Sequence, residues 1–124
     1  MATNFEHLHC WQSCYNLKCY LREKVIVSFP KPERFELYSQ ILRAARSSTA
    51  NIAEGWGRYH YKESINFLRF ARGSIAEILD HCIDARDCKY IKPEMFNEIR
   101  IQIDTSLKLI NGYIRFLNNQ NKKS

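Results

Sequence analysis

Residues 93–119 read PEMFNEIRIQIDTSLKLINGYIRFLNN and carry the clearest pattern in the chain. Their apolar side chains recur at steps of three and four residues, which places them on one stripe of an α-helix. The stripe consists of Phe96, Ile99, Ile103, Leu107, Ile110, Ile114 and Leu117. Pro93 suits the first turn of a helix, because its missing N–H group would have no partner there. This stretch predicts one long amphipathic helix.

Three further segments upstream show similar periodicity. The second and third carry the stripes Tyr38, Ile41, Ala45, Ser48, Ile52, Trp56 and Ile65, Leu68, Ala71, Ile75, Leu79, Cys82. The first has two overlapping sets, one with Leu8, Trp11 and Tyr15 and the other with Cys14, Leu17, Leu21 and Val25. Helix-breaking residues separate the segments. Pro30 and Pro32 form the break between the first and second segments. Gly55 and Gly57 are expected to end the second helix in the left-handed conformation.

The predicted helices therefore cover 5–28, 33–57, 62–88 and 93–119, with a polar tail at 120–124 that is expected to fray. Helices of about 25 residues are about 37 Å long, and short connections make consecutive helices antiparallel neighbours. The sequence thus predicts an all-α fold, an up-down-up-down four-helix bundle, as a single domain over residues 1–124.

Composition narrows the functional classes. The 124 residues carry a formal charge of +6 and 45% hydrophobic side chains, as expected for a soluble globular protein with anionic partners. Five cysteines are an odd number without the spacing of a disulfide framework, which predicts a reducing cytoplasm. No apolar run approaches the ~18 residues that span a bilayer, so no membrane partner is predicted.

Catalytic motifs are absent from the sequence, so we predict neither an enzyme nor a cofactor. A di-iron site would need two Glu-x-x-His pairs, and only Glu6 and His9 form one. A single metal site built from His7, His9, Cys10 and Cys14 is the alternative, although cysteines on an amphipathic helix are more often small core residues. We therefore predict no metal.

Positive charge is concentrated in residues 39–76, which contain six basic and two acidic side chains. Clustered arginine and lysine can bind phosphates, so we predict a nucleic-acid interface. Its predicted residues are Arg43, Arg46, Arg58, Lys62, Arg69 and Arg72. The alternative is a purely structural protein-protein interaction module, in which ion pairs consume the stripe from Arg43 to Arg58 and no nucleic acid binds.

Several apolar residues lie off the main stripes of the third and fourth helices. They are Phe67, Phe70, Ile101, Leu109 and Phe116. Apolar surface that remains after a bundle closes usually marks a contact face, and self-association is its commonest use. These residues therefore predict the interface of a homo-oligomer.

Residues 40–58 read QILRAARSSTANIAEGWGR. This run resembles the signature of the four-helix bundle proteins encoded in intervening sequences of bacterial 23S ribosomal RNA genes, once labelled ribosomal protein S23-like. The matching family positions include Ala44, Ala45, Asn51, Ile52, Ala53, Glu54, Gly55, Gly57 and Arg58. Similarity extends over residues 5–117, with Thr49 standing where the family usually has proline and Lys89 where it usually has glycine.

The resemblance implies a bundle that assembles into a ring-shaped homopentamer. Relatives include the accessory variability determinants of diversity-generating retroelements, which are basic, bind nucleic acid and partner a reverse transcriptase. We therefore expect a non-catalytic, cytoplasmic, oligomeric adaptor that binds nucleic acid, structured RNA above all, or a ribonucleoprotein or reverse transcriptase partner.

Overall fold

Four long helices dominate the computed structural model, which describes residues 4–124. They are α1 (His9–Tyr20), α2 (Leu37–Gly57), α3 (Tyr61–Asp87) and α4 (Pro93–Lys123). Single turns of 3₁₀-helix at Phe5–His7, Ile26–Ser28 and Lys31–Phe35 complete the N-terminal half. No strand occurs within residues 4–124. The all-helical prediction is confirmed, and none of these helices is both long and apolar enough to cross a membrane.

Consecutive helices run antiparallel. The Ser64 hydroxyl at the start of α3 donates to the Gly55 carbonyl at the end of α2, and farther along the Ser74 hydroxyl lies 3.0 Å from that of Ser47. The fourth helix returns to the first, where the hydroxyls of Ser13 and Ser106 are 2.7 Å apart. These contacts, with the apolar core that they surround, form an arrangement consistent with a four-helix bundle.

Helix boundaries differ from the prediction at three places. The first helix changes after Tyr20 into a π-helical turn, Leu21–Val25, in which the Ile26 N–H donates to the Leu21 carbonyl. The second begins at Leu37 instead of 33, because the segment with Pro32 forms a 3₁₀ turn. The fourth continues to Lys123, beyond the predicted end at 119, so most of the tail 120–124 is helical in the structure.

The core is built from the predicted stripes, with exceptions at their edges. Leu107 and Leu79 are only partly buried, whereas Ser106 and Ile78 are fully buried in their place. On α1 the Cys14 set faces the core, but Tyr15 remains 40% exposed. In the set with Leu8, Trp11 and Tyr15, Leu8 is therefore buried and Trp11 packs partly against the core, so only Tyr15 belongs to the surface.

Gly55 sits where α2 and α3 approach most closely. A Cβ atom at this position would lie 2.8 Å from the Phe67 Cβ and 3.2 Å from the Ser64 carbonyl oxygen. The expected left-handed helix end at Gly55 and Gly57 is wrong, because no glycine has a positive φ and Tyr59 takes that conformation at 55°. Gly55 is thus required for interhelical distance and not for a turn.

We expect Gly55→Ala to lower the free energy of unfolding by about 1–3 kcal/mol, because the added methyl overpacks the helix contact. Gly57→Ala is the matched control, since nothing lies within 4 Å of a Cβ atom there. That change should be neutral or raise the stability by about 0.5 kcal/mol through higher helix propensity. Chemical denaturation measures both, and equal effects at the two glycines would contradict the close contact.

A lysine ends α3 in the conformation that glycine favours. Lys89 has a φ of 63°, and its N–H donates to the Arg86 carbonyl. The following N–H, of Tyr90, donates to the Ala85 carbonyl, which completes a Schellman motif. A glycine, which the family usually has at this position, would be unstrained here, because only a residue with a Cβ atom is strained at this φ.

Lys89→Gly should therefore raise the free energy of unfolding by about 1 kcal/mol, since it removes the left-handed penalty and keeps the hydrogen bonds. Lys89→Ala removes the same side chain but retains the Cβ atom, and should leave stability within about 0.5 kcal/mol of the parent. Thermal or urea unfolding distinguishes the two. A gain with alanine as large as that with glycine would assign the effect to the lysine charge.

Candidate nucleic-acid interface

The six basic residues predicted to bind nucleic acid lie on different sides of the bundle. Arg72 points toward α4, where its guanidinium donates to Asn111 Oδ1 at 2.7 Å. Arg43 and Arg69 are exposed and donate to Gln40 and Asn66 on their own helices. Lys62 is exposed at the start of α3.

Arg58 joins the end of α2 to the start of α3. Its guanidinium lies 2.8 Å from Glu54 Oε2 and 3.7 Å from Glu63 Oε2, and it covers the Phe67 ring at 5.3 Å from the centroid. The hydrogen bond and charge of Glu54 raise the pKa of Arg58, so the cation is held beside carboxylates. Its charge is therefore largely balanced within the chain.

The other family positions on α2 are mostly buried or hydrogen-bonded within the bundle. Ala44, Ala45 and Ile52 are buried, and Ala53 is partly buried. Asn51 Nδ2 donates to the carbonyl of Ser47 at 2.9 Å and to its hydroxyl at 3.0 Å. Because that hydroxyl is also the partner of Ser74, the amide supports the α2–α3 contact.

Arg46 lies three residues before Thr49 on α2, and its positive charge acts on a part of the first helix that holds two cations not predicted from the sequence. Lys18 Nζ donates to Thr49 Oγ1 at 3.0 Å and so bridges α1 to α2. Partial burial and the positive charges of Arg22 and Arg46 lower the pKa of Lys18. Burial raises the pKa of Tyr38, and the same two guanidinium groups oppose that rise. The Tyr38 hydroxyl donates to the Leu21 carbonyl in the π-helical turn. We call Lys18, Arg22 and Arg46 the basic groove.

No ion pair within 4.0 Å involves a cation of the basic groove in the described part of the chain. Among residues 4–124, the ion pairs within 4.0 Å involve other cations, namely Arg58, His81, Arg86 and Arg100. The Arg22 guanidinium donates to the Cys19 sulfur at 3.6 Å, and Lys18 Nζ lies 5.7 Å from the centroid of the Tyr15 ring. Three cations without an ion-pair partner repel one another, and this repulsion contributes to the lowered pKa of Lys18.

Sequence reasoning missed Lys18 and Arg22 because it left the face of α1 unassigned. The available signal was the spacing of Trp11, Tyr15, Lys18 and Arg22, which differ by four, three and four residues and share one helix face. Without a partner helix, however, this stripe could not be distinguished from a second core face.

The candidate metal ligands are not brought together. Cys10 and Cys14 point into the core, where burial raises the pKa of their thiols to about 12 and about 11. His9 is exposed, and among the described residues no three His, Cys, Asp or Glu side chains are grouped to hold a metal ion. Burial also raises the pKa of the Cys82 thiol to about 12, while its neighbour His81 lies 3.2 Å from Glu77.

The predicted oligomer-interface residues occupy three surface regions. Phe70 is 60% exposed and packs edge-on against Phe67, beside the α2–α3 contact. Ile101 and Leu109 line a groove between α1 and α4, on the opposite side of the bundle. Phe116 lines a cleft at the end of the bundle with Trp56, Tyr59, Tyr61 and Tyr113.

The fold is that of an all-helical bundle protein, with three basic side chains near the junction of its first two helices. A model of the 23S rRNA-intervening sequence protein family matches residues 6–112. The chain therefore belongs to this family, and the resemblance carried by residues 40–58 is confirmed. No curated protein sequence matches the chain.

Proposed function

We propose that this protein is a non-catalytic, cytoplasmic, oligomeric adaptor that binds nucleic acid, with RNA as the main ligand. The observation that carries the proposal is the basic groove, in which Lys18, Arg22 and Arg46 gather without an ion-pair partner within residues 4–124. Membership of a family named for an interrupted ribosomal RNA gene favours RNA as the polyanion. By the same family likeness, a ribonucleoprotein or reverse transcriptase is the protein partner that we propose.

Electrostatic reasoning supports a phosphate ligand at this site. Lys18 is only partly exposed, so its charge is poorly screened by water, and a phosphate would relieve its repulsion from Arg22 and Arg46. Arginine guanidinium groups also bind phosphate oxygens through two parallel hydrogen bonds. Several copies in a ring would repeat the groove and raise the local positive potential.

Arg46→Ala should weaken binding to a structured RNA hairpin and reduce the salt slope of the binding constant by about one unit, because one phosphate contact is lost. Fluorescence anisotropy between about 50 and 200 mM salt measures both quantities. The matched control is Arg58→Ala, which removes the same charge from a side chain that Glu54 and Glu63 already balance.

The control should leave RNA affinity close to that of the parent protein. Equal losses for both variants would show that binding follows net charge and not the groove. Absence of salt-sensitive RNA binding at micromolar protein would reject the proposed function.

A second candidate function is a protein-protein interaction module without a nucleic-acid ligand. It is favoured by the exposed apolar side chains Phe70, Ile101 and Phe116, which are 60%, 61% and 53% exposed. It is also favoured by the ion pairs of Arg58 with Glu54 and Glu63, which neutralise one end of the polar stripe from Arg43 to Arg58 on α2. The positions of Phe70 and Ile101 on opposite sides of the bundle suit head-to-tail contacts, which close into rings.

Light scattering should give a mass of five times the 14.7 kDa of one chain if the proposed pentamer forms. Ile101→Glu should reduce that mass, because a carboxylate would be desolvated in the contact. Arg100→Glu, which changes the charge of the adjacent exposed residue, is the control, since neighbouring helical residues point about 100° apart. A mass of one chain for the parent protein at every concentration would contradict the oligomer.

A further inference from the structure

A chain of aromatic side chains continues from the basic groove to the end of the bundle. Trp11 and Tyr15 stack with ring centroids 5.0 Å apart and an interplanar angle of 15°. Phe5 packs edge-on against Trp11 at 5.3 Å and against Trp56 at 6.4 Å. Tyr59 closes the series at 5.3 Å from Trp56. Five rings therefore connect α1 to the C-terminal end of α2.

This aromatic chain and the basic groove lie along the same helix pair. Tyr15 is the junction, because Trp11 packs on one side of it and Lys18 approaches its ring on the other. On α2, Arg46 and Trp56 mark the two ends, about 15 Å apart at the rise of an α-helix. The positions between them on the Arg46 face are Ala50 and Ala53, which carry neither charge nor bulk.

Tyr59 presents its ring to solvent just beyond the end of α2. Its φ of 55° ends this helix as that of Lys89 ends α3, and its N–H donates to the Trp56 carbonyl. The ring is 80% exposed and contacts Trp56 at a tilt of 53°. Most of the ring is therefore accessible to a ligand.

We propose that this surface binds an unpaired, single-stranded segment of RNA. The phosphates lie on Lys18, Arg22 and Arg46, and the bases stack on Tyr59 and pack against the exposed edge of Tyr15. This inference rests on the proposed function and adds to it the kind of RNA that is bound. Aromatic rings reach the faces of bases only where the strand is unpaired, whereas a duplex offers this surface only its phosphates.

Charge and shape both favour this occupant. The pKa of Tyr15 is raised chiefly by its hydrogen bond with Cys19, and the opposing effect of Arg22 exceeds that of the acidic Glu23. The α2 face between Arg46 and Trp56 is open because small alanine side chains form its middle. Basic grooves with adjacent aromatic rings bind single strands with little sequence preference, since every base has a stacking face.

The test compares a labelled oligouridine of about twelve nucleotides with an RNA duplex of equal length, by fluorescence anisotropy. Tyr59→Asn removes the ring and keeps a residue that tolerates positive φ, so the fold should be retained. We expect it to weaken binding of the single strand by about five-fold or more and to leave duplex binding unchanged. Tyr59→Phe should retain parental affinity, because stacking uses the ring and not the hydroxyl.

Phe35→Asn is the control for the loss of an exposed aromatic ring. Phe35 is 83% exposed and precedes α2, at the end of that helix opposite to Tyr59. This change should alter neither affinity. Circular dichroism of each variant verifies that the helices are intact.

Three results would overturn the inference. If Tyr59→Asn weakens neither probe, or weakens both equally, the ring does not stack on bases. If single strand and duplex bind equally and only Arg46→Ala reduces binding, the groove recognises phosphates alone, and the proposed function stands without this inference. If neither probe binds at low salt, both the inference and the proposed function fail.

Discussion

The close contact between α2 and α3 at Gly55 is the constraint on which the rest of the molecule depends. The absence of a side chain there lets the start of α3 lie against the end of α2, where the Ser64 hydroxyl donates to the Gly55 carbonyl. This geometry brings Glu63 within reach of Arg58 and places Phe67 under the guanidinium. It also sets the sharp turn between the helices, in which Tyr59 adopts its left-handed conformation. The absence of a methyl group at Gly55 thus allows α3 to bring Glu63 to an arginine that Glu54 of α2 already contacts.

The distribution of free positive charge follows from this packing. Arginines that look equivalent in the sequence have different partners once the helices are assembled. Arg58 is balanced by two carboxylates and Arg72 donates to Asn111, whereas Arg46 joins Lys18 and Arg22 across the α1–α2 groove. The π-helical turn contributes to this arrangement, because it carries Arg22 and offers the Leu21 carbonyl to Tyr38. Wide turns of this kind inside helices often occur at functional sites.

The family positions acquire a physical meaning in the same way. Asn51, Glu54, Gly55 and Arg58 have neighbouring places in the α2–α3 contact, where they make hydrogen bonds, an ion pair and a close approach. The family pattern at these positions is therefore explained by the assembly of a helix pair. The proposed RNA surface lies on the other side of α2, and its binding residues, Lys18, Arg22, Arg46 and Tyr59, are not among the family positions. The two departures, Thr49 and Lys89, are accommodated: Thr49 accepts a hydrogen bond from Lys18 within a continuous helix, and Lys89 adopts the left-handed conformation.

The sequence by itself determined that the chain is helical, how many long helices it forms and which residues of α2, α3 and α4 build most of the core. The hydrophobic periodicity and the turn residues of each segment determine these features locally, because an amphipathic helix gains most of its stability from the burial of one apolar face. Only the tertiary structure decided the face of α1, the role of Gly55 and the identity of the unbalanced cations. Helix ends such as Lys123 also needed the structure, since propensity is weak there. A charge is free or neutralised according to side chains distant in sequence, so its availability is a property of the assembled helices and not of any one segment.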